Sequence, residues 1–302
     1  MKSFISHLLF PLTFGSGIWI ALEGLERGWD GDALLLGISV GTFAIVALFE
    51  RILPAHPEWN VSQGDVQTDL LHGLVSMVAL PQALELGLRL ALLHVVVWSA
   101  DFTGGTLWPT HWPLLAQLVP ALIISQFFEY WAHRSLHEIP ALWRFHATHH
   151  SPGRLYWLNA GRFHPVDSAL LFTVALIPLV LLGAGAEVML LYTLWVSMHG
   201  AFQHCNVRVR LGWLNYVFSM AELHRWHHSL KLEEANSNYG NNILLWDLVF
   251  GTVHYPKDRE ASPEIGLSDL PDFPKDYLGQ VLSPWRWERL GNGDEGSGED
   301  PV

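Results

Sequence analysis

Six apolar segments stand out along the chain, each approaching the roughly 20 residues that an α-helix needs to cross the hydrocarbon core of a bilayer. They cover about 4–22, 33–49, 71–98, 113–132, 168–186 and 188–204. Three of them, 33–49, 168–186 and 188–203, hold at most one charge between them, whereas Pro81, Glu85 and Arg89 interrupt 71–98. That segment reads either as a kinked span or as two shorter re-entrant pieces. Residues 168–204 read as a helical hairpin broken at Gly183–Glu187. The first segment follows Lys2 as a signal peptide would, but it is long for that role and lacks a small-x-small cleavage site, so it reads as a membrane helix. Beyond residue 205 the chain turns polar and aromatic, with no further span, and 291–302 lacks apolar residues to bury and reads as disordered.

Composition supports this pattern. Half of the 302 residues are hydrophobic and only 15% are charged, where soluble domains carry about a quarter. The expected fold class is all-α: a multi-span integral membrane helical bundle, capped on the cytosolic side by the polar regions between and after the spans. The orientation follows from basic residues, which collect on the cytoplasmic side. Arg134, Arg144, Arg154 and Arg162 lie in one loop, and Arg208, Arg210, Arg225 and Lys231 follow the last span, while 99–112 and 183–187 hold no Lys or Arg. The positive-inside bias is also the preferred reading of Arg144, Arg154, Arg162 and Arg225 individually. A formal net charge of −12 argues against nucleic acid as a partner. One cysteine, Cys205, excludes an internal disulfide and a thiolate-rich metal site.

The 17 histidines change the picture most. His133 and His137 form H-x3-H; His146, His149 and His150 form H-x2-H-H; His224, His227 and His228 repeat that second pattern. Residues three and four apart share a helix face, so each box aims imidazoles at one point. Eight such ligands exceed what one ion holds, which makes two metals the natural count, and an all-nitrogen set suits a redox pair better than a closed structural zinc site. Single histidines (His7, His56, His72, His94, His111, His254) read as core or interface residues, and His164, before Pro165, as a loop residue. His204 ends the last span level with the boxes and is expected as a ninth ligand. His199, five residues earlier, points about 140° away round a helix and is not expected to share that centre. Carboxylates that orient the ligands are expected among Glu129, Glu138, Asp167, Glu222 and Asp247, with Glu129, one turn before His133, the sharpest candidate. Trp131, Trp143, Tyr156, Trp157, Trp195, Phe202 and Trp226 flank the boxes and read as interface anchors.

At these residues the sequence resembles the fatty acid hydroxylase/sterol desaturase superfamily. The matching text is YWAHRSLHEIPALWRFHATHHS (130–151), ELHRWHHS (222–229) and NSNYGNNILLWDLVFGT (236–252). The resemblance runs over about 113–256 and divides the chain into N-terminal membrane helices (1–112), a catalytic domain (113–256) and a C-terminal segment with an acidic tail (257–302). It implies two non-heme irons held by the eight box histidines and His204, and an activity that uses O2 and two electrons to hydroxylate or desaturate a lipid such as a sterol, fatty acyl chain or ether lipid. No catalytic residue beyond the metal ligands is expected. Family members often carry an acidic residue about seven positions before the first box histidine; here that position is Gln126, and Glu129 is the expected substitute. Neither a heme-binding segment nor G-x-G-x-x-G occurs in these residues, so electrons are expected from a separate protein or a soluble reductant. The second function class is a His-rich membrane metal transporter or sensor, which usually places its ligands near the middle of the membrane rather than at the ends of spans.

Overall fold

The computed structural model describes residues 2–84, 86–87, 92, 105–270 and 272–291. Its long helices are α1 (Lys2–Glu26), α2 (Gly31–Ile52), α3 (Val66–His72), α4 (Leu114–Glu138), α5 (Pro140–His150), α6 (Pro165–Leu182), α7 (Ala186–Gln203) and α8 (Ala221–His227). No strand forms among the described residues; Pro54–Val207, Phe218–Ile243 and Ser229–Ile265 make isolated antiparallel bridges. The bundle is therefore helical, as its hydrophobic pattern requires.

Among the described residues, four helices are long and apolar enough to span a membrane: Phe4–Glu26, Gly31–Ile52, Leu114–Glu138 and Pro165–Leu182. These match four of the six expected spans, and the expectation of a span at 188–204 is corrected. The segment 188–204 is helical within α7, but its polar residues, among them His199 and Gln203, leave it less apolar than the other four. Of 71–98, only the beginning is described: α3 continues as a π-helical turn, Gly73–Ala79. Most of the rest of that segment lies outside the described residues, as does most of the tail 291–302. Leu12, Trp19, Leu36, Val40, Leu48, Leu115 and Val119 stand exposed along α1, α2 and α4. Soluble proteins rarely show such continuous apolar surface, whereas hydrocarbon chains cover it at no cost.

Inside, α4 packs on α6, and α2 on α7, around a core that includes Phe10, Phe14, Leu118, Leu179, Leu191, Leu194, Met198 and Phe202. Five helix ends meet on one side. The Arg210 amide donates to Ser6 O (2.9 Å) at the start of α1, and the Ala55 amide after α2 donates to Asn206 O (2.9 Å) after α7. The end of α4 and the start of α6 complete this side, which carries all the histidine boxes. The turn between α6 and α7 lies where the GAGAE break predicted it. Gly183 takes φ +82° there, and a Cβ would fall 2.1 Å from Thr106 Oγ1, which donates to Leu182 O (2.9 Å). Gly183→Ala is expected to destabilise the protein by about 1–3 kcal/mol, read as a lower unfolding temperature in detergent; an unchanged temperature would contradict this account of the turn.

Candidate metal centre

The chain bends at Ile139-Pro140. A residue before proline is driven into extended backbone, and proline suits the first position of a helix. Ile139 (φ −102°, ψ 112°) thus ends α4 and begins α5 at once. The bend folds α5 back so that its imidazoles face those at the end of α4. Pro165 likewise starts α6, capped by His164, whose Nδ1 accepts from the Val166 amide (3.0 Å). His164 therefore has the loop role its position suggests.

Nine histidines converge in two groups, each with ligand atoms within 4.8 Å of one another: His133, His137, His146, His150 and His227; and His149, His204, His224 and His228. All nine predicted ligand candidates are included. All are buried except His137, which is half-buried. The boxes do not map one to a metal, as the simplest reading of their spacing suggests. The i, i+4 pairs 133/137, 146/150 and 224/228 each stay together, while His149 and His227, offset by three from the first histidine of their boxes, cross to the other group. Adjacent residues thus tie the groups together, with the His150 and His228 rings stacked at 4.3 Å. His199 belongs to neither group and packs against Phe10 and Phe218, the separation from His204 expected of its helical angle.

Outer hydrogen bonds decide where the protons sit. His133 Nδ1 donates to Tyr239 O (2.7 Å), His227 Nδ1 to Ser237 O (2.8 Å) and His146 Nδ1 to Asp167 Oδ2 (2.7 Å). Each of these neutral rings then has a bare Nε2. Yet His133 Nε2 lies 3.1 Å from both His146 Nε2 and His227 Nε2. Lone pairs facing each other at that distance repel unless a cation lies among them. In the second group, His149 Nδ1 donates to Arg162 O (3.2 Å) and His204 Nδ1 meets Asn159 Oδ1 (3.3 Å), while His224 Nε2 is 2.9 Å from both His204 Nε2 and His228 Nε2. His137 Nε2, His150 Nε2, His224 Nδ1 and His228 Nδ1 are buried without a hydrogen-bond partner, a cost that natural interiors rarely bear. Protonation does not relieve it: burial first, then the neighbouring imidazoles, holds His146, His149, His150, His224 and His228 well below the ordinary 6.5, and burial and His133 do so for His227. The donor set therefore fits two metal ions.

Among the predicted carboxylates, Asp167 alone touches a box histidine. Asp247 acts one step further out: its oxygens accept from the Tyr239 and Gly240 amides (2.8 and 2.7 Å), fixing the loop whose carbonyls hold His133 and His227. Glu129 is buried but bonds to Gln126, whose Oε1 accepts from the Asn242 amide (2.9 Å). Glu138 pairs with Arg134 (2.7 Å) at the surface, and Glu222 accepts from the Leu211 amide and Asn215. The reading of four arginines as a charge bias is also corrected. Arg154 and Arg162 are buried in ion pairs with Asp65 and Asp69, and Arg225 donates to Cys205 O and Val207 O; Arg144 alone lies nearer the surface, against Glu288. Trp131 is exposed as an anchor would be, whereas Tyr156, Phe202 and Trp226 are core residues. Asn159, Asn236 (3.3 Å from His137 Nδ1) and the carbonyls of Arg162, Ser237 and Tyr239 were not anticipated. Backbone acceptors leave no mark in a sequence, although the NSNYGNN stretch pointed to the right loop.

The fatty acid hydroxylase family profile matches residues 118–252. The chain is 38% identical over 285 residues to the ornithine lipid hydroxylase of Rhizobium tropici, covering 93% of this chain and 84% of that one. It is 26% identical to alkylglycerol monooxygenase of Homo sapiens over 172 residues (55% of this chain, 36% of that) and 28% identical to methylsterol monooxygenase 1 of Rattus norvegicus over 158 residues (50% and 52%). It thus spans only about a third to a half of the length of these last two. No solved structure matches the chain significantly. The chain belongs to the fatty acid hydroxylase/sterol desaturase superfamily, an oxidoreductase of the lipid hydroxylase type. A transporter finds no support in these relatives.

Two outcomes follow for the isolated protein. Asp167→Ala, which removes the acceptor for His146, is expected to weaken metal retention roughly 10–100-fold, read by titration with a chelator. Metal content should also hold above pH 6.5 and fall below it. Burial depresses the histidines in the folded chain relative to their unfolded value, so protons increasingly favour the metal-free, unfolded form as pH drops from 6.5 towards those depressed values. Retention independent of pH from 7 to about 5 would contradict imidazole ligation.

Proposed function

We propose that the protein is a membrane-bound di-iron hydroxylase of an amino-acid-bearing membrane lipid, ornithine lipid being the first substrate to test. The observation that carries the reading is the pair of buried imidazole groups whose lone pairs face one another at the ends of apolar helices. Nine imidazoles in groups of five and four exceed the closed four-ligand set of a structural zinc and suit a redox pair, and similarity over 93% of the chain to an ornithine lipid hydroxylase favours that substrate class.

When bound, the iron pair supplies activation of O2, so that one oxygen atom enters a C–H bond and the other leaves as water with two electrons and two protons. The nine imidazoles hold the ions in a dry pocket. Asp167, Asn159, Asn236 and three backbone carbonyls fix the ring orientations before any ion arrives, which reduces what binding must organise. The burial of these rings keeps bulk water from them, and the exposed apolar faces of α1, α2 and α4 suit contact with lipid tails. A cytoplasmic face for the site follows from the exposed basic residues beyond α7, such as Arg210 and Lys231. The electron donor is a separate protein or a soluble reductant.

Membranes containing the protein, given ornithine lipid, a reductant and isotopically labelled O2, are expected to yield hydroxylated lipid carrying the label. His227→Ala should remain membrane-inserted and lose all turnover. Product without label would overturn the oxygenase reading, and turnover retained by His227→Ala would remove that residue from the ligand set.

A further inference from the structure

The two imidazole groups draw their orienting hydrogen bonds from different parts of the chain. The five-histidine group relies on Asp167 of α6 and on residues 236–239, a loop locked by Asp247. The four-histidine group relies on Arg162 O, which takes the His149 proton, and on Asn159 Oδ1, which faces His204. Arg162 and Asn159 belong to a short 3-10 turn, Trp157–Gly161, and the residue that caps it.

That turn is gripped by the segment before the family match. Arg162 Nε donates to Asp69 Oδ1 of α3 (2.5 Å), and Tyr156 Oη donates to Asp69 Oδ2 (2.6 Å). The side chain of Asp69 is 0% exposed and that of Arg162 4%. Arg154 closes a fork on Asp65 (2.7 Å twice) and stacks over the Tyr156 ring (3.9 Å). Glu50 of α2 accepts from the Trp157 amide (2.7 Å), and the Asn159 side-chain Nδ2 donates to Arg154 O (2.6 Å). At Gly161 the turn lies so close to α3 that a Cβ would sit 3.0 Å from Gly73 Cα. A buried ion pair is retained at a desolvation cost, and here its geometric product is the placement of two acceptors on one group of histidines.

We propose that Asp69, acting through Arg162, is the positioning residue of the four-histidine ion position alone, so that the two ions are separately anchored. The inference rests on reading the two imidazole groups as metal positions. Asp69→Asn then removes the charge that holds the Arg162 carbonyl and Asn159 against His149 and His204, and leaves the loop 236–239 untouched. Asp247→Asn does the reverse.

The test is iron per chain in the purified full-length protein, with stepwise removal by a chelator and helical content followed by circular dichroism. Asp69→Asn and Asp247→Asn are each expected to lose one ion roughly 10–100-fold more readily while holding the other as the wild type does. The double variant should lose both. Asn159→Ala removes one acceptor without stranding a buried charge, so it serves where Asp69→Asn fails to fold, and it should loosen the same single ion as Asp69→Asn. Parallel loss of both ions in folded Asp69→Asn or Asn159→Ala would overturn the proposal. So would retention of both ions, or a double variant that still keeps one. A wild type that holds two ions but oxygenates no lipid would defeat the functional reading and leave this one standing.

Discussion

The organising constraint of this molecule is the crowding of neutral imidazoles in a place without water. Each ring is neutral because burial makes the charged form costly. Several turn their protonated nitrogen outward, because Asp167 or a backbone carbonyl is there to accept it. What remains, around His133, is a set of inward lone pairs about 3 Å apart, an arrangement that is repulsive by itself and strongly attractive to a cation. Folding and ion binding are coupled in such a site, and much of the rest of the chain holds these rings against their mutual repulsion.

That holding is distributed. Pro140 turns α5 back on α4, and Pro165 restarts the chain as α6, with Asp167 in its first turn, directly under His146. The end of α7 supplies His204, and the short α8 with its capping residue supplies His224, His227 and His228. Two connecting segments, one an irregular loop and one built on a short 3-10 turn, then lock the outer nitrogens. Each is pinned by a buried carboxylate: Asp247 for residues 236–240 and Asp69 for residues 156–162. The apolar helices end where this assembly sits, on the one side of the bundle that carries the histidines.

Much of this was legible in the sequence because its signals are periodic. Apolar runs marked the helices, GAGAE marked the hairpin turn, and three- and four-residue spacing marked the boxes. His204 and His199 separated correctly because five residues turn a helix far from a full rotation. The division of the boxes between two groups was not legible from spacing alone, since i+3 and i+4 neighbours flank the same stripe and only packing decides which side each faces. Arg154 and Arg162 looked like loop charges because their partners, Asp65 and Asp69, lie 89 and 93 residues earlier. Glu129 looked like a ligand support because it shares a stripe with His133, but Gln126 takes its carboxylate. Hydropathy overcounted at 188–204 because α7 mixes its apolar residues with buried polar ones such as His199 and Gln203.

The account depends most directly on where metal sits. Diffraction from crystals of the iron-loaded protein, recorded at the iron absorption edge, should show two anomalous peaks, one inside His133, His137, His146, His150 and His227 and the other inside His149, His204, His224 and His228. A single peak, or peaks outside these two groups, would contradict it.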